Sequence, residues 1–294
     1  MTEFDSGKRL LLLLSIVSIS IYTGCKIYQN PKKVNLERTW SVYKADAEGT
    51  GYSVLNEINT DNVQNLKLAW THKFSDAPAG SRGGNSESNP IIIDGVMYTL
   101  SARHRAYALD ATTGKQIWAF DPFNGEAGGG IGRGVTYWEE GADKRILLTA
   151  GDKLFALNAQ TGLPIPSFGN NGWVSMNVGM RGDPAKISVI PTSPGIVFRN
   201  LLIIGNEVSE LYGAEPGHVR AYDIKSGKME WTFHTVPQPG EFGYDTWPKD
   251  AWKYVGGANN WGGMSLDQKR GMVFFATGSP TYDYYGKDGL GMNL

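Results

Sequence analysis

The chain has 294 residues and a net charge of −1, with 28 basic against 29 acidic side chains. A surface that follows phosphates needs a concentrated basic excess, so nucleic acid is excluded as the main partner. Only 19% of residues are charged while Gly (38), Trp (9) and Tyr (14) are frequent, which fits a turn-rich β protein and not a helical bundle.

The first predicted element is an export segment. Lys8 and Arg9 precede an apolar run over 10–21, in which nine of twelve residues are Leu, Ile or Val. That run is too short to span a bilayer comfortably and is flanked like a signal peptide. Thr23 and Gly24 stand directly before Cys25, the single cysteine. This order resembles the bacterial lipobox, whose cysteine is lipidated, although Tyr22 stands where leucine is usual. An uncleaved anchor helix and ordinary secretion are the alternatives, and all three put the folded part outside the cytoplasm, in the periplasm. One cysteine also excludes an internal disulfide and a CxxCH haem site. Residues 1–25 are therefore read as signal peptide and lipobox, and the polar, basic stretch 26–38 as a tether.

From 39 to 294 the sequence repeats. "YALDATTGKQIWAF" (107–120), "FALNAQTGLPIPSF" (155–168) and "AYDIKSGKMEWTF" (221–233) share one plan. Each has an apolar strand, an Asp or Asn, a turn glycine (Gly114, Gly162, Gly227) and a second strand with an aromatic near its end. "MSLDQKRGMVFFATG" reads as a fourth, looser copy. Strand pairs lie between the copies: "PIIIDGVMYTL", with the hairpin signal Asp94-Gly95, then "RILLTAGDKLFAL" and "GIVFRNLLIIGNE". One helical turn is predicted at 61–66, and no longer helix. A repeat of about 45 residues with four strands and a recurring Gly and Trp is the signature of β-propeller blades. The expectation is an all-β propeller in which Trp118 and Trp231 pack between blades.

Several stretches then match a known family. "WSVYKADAEGTGYSVLNEINTDNVQNLKLAW" (40–70), "RGVTYW" (133–138), "DAWKYVGGANNWGGMSLD" (250–267) and "ATGSP" (276–280) resemble the quinoprotein dehydrogenases. These are periplasmic eight-bladed propellers carrying pyrroloquinoline quinone (PQQ) on the central axis. The wording after Trp261 is nearest to the glucose and polyol branch. The likeness implies that about half of the ring is present, that the chain is the N-terminal part of a longer protein, and that the general-base aspartate lies beyond residue 294. The chain alone would then be inactive.

The resemblance also implies a site. Trp261 matches the floor tryptophan beneath the quinone; without the family it reads as a blade-core tryptophan beside a bulge. Arg133 matches the arginine that takes the quinone's acidic edge, a task for a planar fork; by itself it is a surface arginine. Glu87 in "NSESNP" matches a glutamate that bonds the cofactor, and otherwise reads as a solvated loop acid. Thr192 and Asn259 fall at cofactor-contacting positions, Asn259 where the family often has threonine. Glu210 in "GNEVSELYG" matches the glutamate ligating calcium, with Glu207 as its rival, since calcium takes hard oxygen ligands. Ser279 stands where the metal-binding asparagine of "TGNP" is usual. The alcohol-oxidising branch covers the upper quinone face with a disulfide of adjacent cysteines, whereas "GEAGGGIG" (125–132) has neither Cys nor His.

The implied reaction is oxidation of a sugar, polyol or alcohol hydroxyl. Calcium polarises the quinone carbonyl, an aspartate takes the proton, and hydride leaves the carbon. Electrons would pass to a membrane quinone or a separate cytochrome. The competing reading is a non-catalytic, lipid-anchored propeller scaffold of the outer-membrane assembly type, which has no need of Arg133, Glu210 and Trp261 together. A degenerate PQQ binder is a third, and Ser279 is the residue that favours it.

Overall fold

Runs such as "AYAL", "ILLTA", "LFAL" and "LLII" are apolar at consecutive positions, which a strand tolerates only if both of its faces are covered. The computed structural model, which describes residues 38, 40–76 and 84–282, meets that condition with stacked antiparallel sheets. The export segment, Cys25 and the tether before Arg38 lie outside the described residues.

The first sheet joins β1 (Ile91–Ile93), β2 (Val96–Leu100), β3 (Ala106–Asp110) and β4 (Gln116–Phe120) in that order. The second joins β5 (Thr136–Glu140), β6 (Asp143–Ala150), β7 (Lys153–Asn158) and β8 (Trp173–Ser175). The third joins β9 (Ile196–Phe198), β10 (Leu201–Ile204), β11 (Val219–Asp223) and β12 (Met229–Phe233). A two-stranded sheet follows, β13 (Ser265–Asp267) with β14 (Met272–Phe274). Among the described residues there is no α-helix; the turn foreseen at 61–66 is a single 3-10 turn, Val63–Asn65. No helix among them is long and apolar enough to cross a membrane.

Strand alternation distributes each sheet between its two neighbours. Ile146 and Leu148 of β6 face the first sheet's core, while Leu147 faces the third sheet. In β10, Leu202 and Ile204 turn back to the second sheet and Ile203 turns forward to Leu266 of β13. First strands sit side by side, β5 beside β9 and β9 beside β13. This is the arrangement of successive propeller blades.

The repeated turns key adjacent blades together. Gly114, Gly162 and Gly227 all have φ near +70° and donate their N–H to Asp110, Asn158 and Asp223, each at 2.8 Å. A side chain at Gly162 would meet Trp118, since an added Cβ lies 2.6 Å from the indole. Trp118, 8% exposed, also donates Nε1–H to the Ala159 carbonyl at 2.9 Å. Trp70 docks on Gly114 in the same way, with Nε1–H to Ala111 at 3.2 Å. At the third junction the donor changes: Arg145 reaches the Ile224 carbonyl at 2.8 Å while Val174 and Phe168 cover Gly227.

Three sequence expectations need correction. Trp231 is 40% exposed and not blade core, because no described strand stands against the outer face of β12. "MSLDQKRG" does form the repeated turn, with Gly271 donating to Asp267 at 2.8 Å. It joins a first to a second strand, however, because β13 lies beside β9; the local turn chemistry is the same at either place in a blade. In the second copy, "PIPSF" makes only an isolated bridge at Pro164, since prolines 164 and 166 lack the N–H a ladder requires. The outer strand there is β8.

Candidate functional site

In an antiparallel pair the start of one strand and the end of the next share one edge of the sheet. Arg133 precedes β5, Thr192 precedes β9 and Trp261 precedes β13, whereas Glu207 follows β10 and Ser279 follows β14. The fold therefore carries five residues scattered over nearly 150 positions of sequence to one end of adjacent blades.

Backbone links hold those loops in series. Asn89 donates its N–H to the Arg133 carbonyl at 2.9 Å, and Arg133 donates its own to Thr192 at 2.9 Å. The Trp261 carbonyl then accepts from Thr192 Oγ1 (3.2 Å), Ser193 Oγ (2.5 Å) and Arg133 Nη1 (3.3 Å). Three blades thus meet at Trp261, and the first joins them through Arg133.

Within "GANNWGG" the buried anchor is Asn260, whose amide donates to Gly263 (3.1 Å) and Ala276 (2.8 Å). With Asn260 turned inward, Trp261 faces outward, 50% exposed. The small residues around it are there for close backbone approach. An added Cβ at Gly205 would lie 2.3 Å from the Asn260 carbonyl, and one at Gly257 would lie 2.6 Å from that of Ser279. Gly257 also has φ +69°, a conformation that L side chains rarely adopt.

These loops enclose a cavity of about 430 Å³, a size suited to a small-molecule cofactor. Arg133, Glu207, Glu210, Asn259, Trp261 and Ser279 all line it, together with Ile131, Ser209 and Thr281. The Arg133 guanidinium lies 5.4 Å from the Trp261 ring centre and pairs with Glu87 at 3.1 Å. Glu87 and Thr192 thus belong to the site through Arg133 and the Trp261 backbone, and not through the cavity wall. Asn259 donates Nδ2–H to the Asn206 carbonyl at 3.2 Å.

The donor set divides by chemistry. One cation, Arg133, stands beside a bare aromatic face, which suits a flat ligand with a carboxylate edge. The same lining also carries two carboxylates and the side-chain oxygens of Ser209, Asn259, Ser279 and Thr281, the oxygen donors a hard cation takes. Among the described residues no group of three or more His, Cys, Asp or Glu could hold a metal; an ion here would rest on two carboxylates and neutral oxygens. The residues present therefore fit both PQQ and calcium.

Sequence reading missed Ser193, Ile131, Thr281 and Tyr43. Ser193 adjoins Thr192, and two neighbouring hydroxyls before a strand were the available signal. Tyr43 is raised by burial, with Arg133 and Glu87 acting on it in opposite senses, which places the phenol near that ion pair. Nothing local in "SVYKAD" announces this.

Comparison with known proteins identifies the family. Residues 40–294 match the family described as PQQ: glucose/ethanol/alcohol dehydrogenase, beta-propeller domain. The quinoprotein glucose dehydrogenase of Escherichia coli (strain K12) is 29% identical over 270 residues, 85% of this chain and 33% of that protein. The quinohemoprotein alcohol dehydrogenase ADH IIB of Pseudomonas putida is 33% identical over 244 residues, 78% of this chain and 32% of that protein. The crystal structure of quinohemoprotein alcohol dehydrogenase from Comamonas testosteroni superposes with a TM-score of 0.70 at 26% identity, covering 87% of this chain and 38% of that one. The chain spans about a third of the length of the curated relatives it matches.

Proposed function

The chain belongs to the PQQ-dependent glucose/ethanol/alcohol dehydrogenase β-propeller family, and from that premise we propose that the protein oxidises a hydroxyl of a sugar, polyol or alcohol with PQQ and calcium. The observation that carries the proposal is one cavity in which Arg133, Trp261, Glu207, Glu210, Asn259 and Ser279 converge from separate blades.

Bound PQQ would supply a quinone able to accept two electrons. Trp261 offers its exposed indole as the stacking floor. Arg133, already oriented by Glu87 and by the Trp261 carbonyl, takes the carboxylate edge. Glu210 and Glu207 hold calcium with help from Ser279 and Asn259. With both glutamates committed to the ion, no other carboxylate among the described residues lines the cavity, so the proton acceptor is assigned to none of them.

In this reading the protein works in the periplasm and is held at the membrane through Cys25, near its electron acceptor, a membrane quinone or a separate cytochrome. Its support is the basic pair, the short apolar run and Thr23-Gly24-Cys25. A scaffold would not require an exposed tryptophan beside an oriented arginine.

The test is to reconstitute the full-length protein with PQQ and calcium and follow cofactor absorbance and dye reduction against a panel of sugars, polyols and alcohols. Cofactor uptake with calcium-dependent reduction by at least one substrate is expected. No uptake and no reduction would sink the reading.

A further inference from the structure

Arg133 and Trp261 come from loops 128 positions apart, and the gap between those loops is filled by a third segment. The residue after Arg133 and the second after Trp261 are both glycines, Gly134 and Gly263, with φ of +146° and +85°. One side chain lies against both. An added Cβ at Gly263 would stand 3.4 Å from Cε1 of Tyr43, and one at Gly134 would stand 3.8 Å from Cδ2 of the same ring. Those atoms belong to opposite edges of the phenol, so the Tyr43 ring fits edgewise between the two loops.

Tyr43 is itself held from two sides. The Trp40 carbonyl accepts the N–H of Ile92 in β1 at 2.8 Å, and the Ala47 carbonyl accepts that of Leu266 in β13 at 2.8 Å. Between these ties the chain turns sharply. Lys44 and Ala45 have φ of +64° and +78°, and the Ala45 N–H closes on the Val42 carbonyl at 2.9 Å. Two successive left-handed residues that are not glycine persist only where the surroundings over-determine them. Lys44 Nζ lies 5.5 Å from the centre of the Tyr43 ring and donates to the Gly262 carbonyl at 3.4 Å. The ring also walls a separate cavity of about 130 Å³, shared with Tyr137, Ile196 and Gln268. Space adjoins it there, so removing the ring enlarges that space beside the two loops.

We infer that Tyr43 is a positioning residue, a rigid spacer that sets the distance between the Arg133 guanidinium and the Trp261 ring. This rests on the neighbouring cavity being the PQQ site proposed above. Tyr43 is not part of that cavity's lining, so it acts on the cofactor through the two loops. Close-packed contacts of this kind transmit small displacements, and a misplaced binding group loses affinity steeply.

The experiment measures PQQ binding to the full-length protein by titration calorimetry with calcium present, with thermal unfolding followed on the same samples. Tyr43→Phe keeps the ring and is expected to bind within about threefold of wild type. Tyr43→Ala is expected to bind roughly tenfold more weakly. Tyr43→Leu, which keeps apolar bulk should the alanine variant fold poorly, is expected to fall between them. The deciding measurement repeats Tyr43→Ala in a Trp261→Ala background. With one of the two spaced groups gone, the added loss should shrink to about twofold or less, whereas a merely structural role gives the same factor in both backgrounds. Wild-type affinity in Tyr43→Ala and Tyr43→Leu, or equal factors in the two backgrounds, overturns the inference and leaves the PQQ site standing. Absence of PQQ binding by the wild type overturns both.

Discussion

Arg133 bonds the Trp261 carbonyl through Nη1 at 3.3 Å while its guanidinium lies 5.4 Å from the same residue's ring centre. Arg133 and Trp261 are therefore one unit, and Glu87 pairs with its guanidinium at 3.1 Å. The fork makes these contacts from several nitrogens at once, which a lysine ammonium on a flexible stem cannot reproduce. Arg133→Lys, which keeps the charge, is expected to weaken PQQ binding by about 10- to 100-fold. Spectroscopic titration with PQQ measures this; wild-type affinity in that variant would show that charge alone suffices.

Trp261 is exposed because Asn260 takes the buried position, so its indole contributes little to the core. Trp261→Ala is expected to leave unfolding within about 1 kcal/mol of wild type and to lower PQQ affinity at least tenfold. Denaturant unfolding and cofactor titration on the same preparation separate the two effects. A large loss of stability would return Trp261 to the core.

Calcium dependence should follow the carboxylates. Glu210→Gln and Glu207→Gln are each expected to raise the calcium concentration for half-maximal activation by about tenfold or more, since each removes one charge from a hard-cation site. Ser279→Asn, which adds an amide carbonyl, is expected to lower that concentration. Calcium titration of the chelated protein checks all three.

Gly162 and Gly141 both have positive φ, at +71° and +60°, but an added Cβ at Gly141 meets nothing within 4 Å whereas one at Gly162 meets Trp118. Gly141→Ala should cost about 1 to 2 kcal/mol from backbone strain alone. Gly162→Ala should cost about 2 to 4 kcal/mol, because the indole must also move. Chemical denaturation compares them, and equal costs would mean that Trp118 does not key the blades.

Burial, then the charges of His234, Arg220 and Arg181, hold the His218 imidazole down at about 3 against an ordinary 6.5. Its Nδ1 accepts the Thr235 N–H at 3.2 Å, which requires the neutral ring. Between about pH 6.5 and 3 the unfolded chain binds a proton that the folded chain refuses. This contribution to stability is complete above pH 6.5 and is lost as pH falls, by up to about 1.4 kcal/mol per unit. Unfolding midpoints taken from pH 7 to 5 should fall less steeply in His218→Gln than in wild type.

The periodicity of short apolar runs and turn glycines was enough, in the linear chain, to specify blades. Hairpins at Asp94-Gly95 and the Asp-to-Gly turns are local hydrogen-bonding patterns, and residues a few positions apart determine them. The family wording likewise marked Arg133, Trp261 and the Glu207–Glu210 stretch as site residues. What a turn connects is not local: Gly271 uses the same chemistry as Gly162 yet joins different strands, and Trp231 carries the docking aromatic without being covered. Those outcomes depend on which sheet lies alongside. So does the cavity itself, since its wall is made from loops whose proximity arises only once β5, β9 and β13 stand side by side. Ile131 and Ser193 carry no signature in sequence because their neighbours at the site, Trp261 and its loop, are more than sixty residues away; only stacking of the blades brings them together.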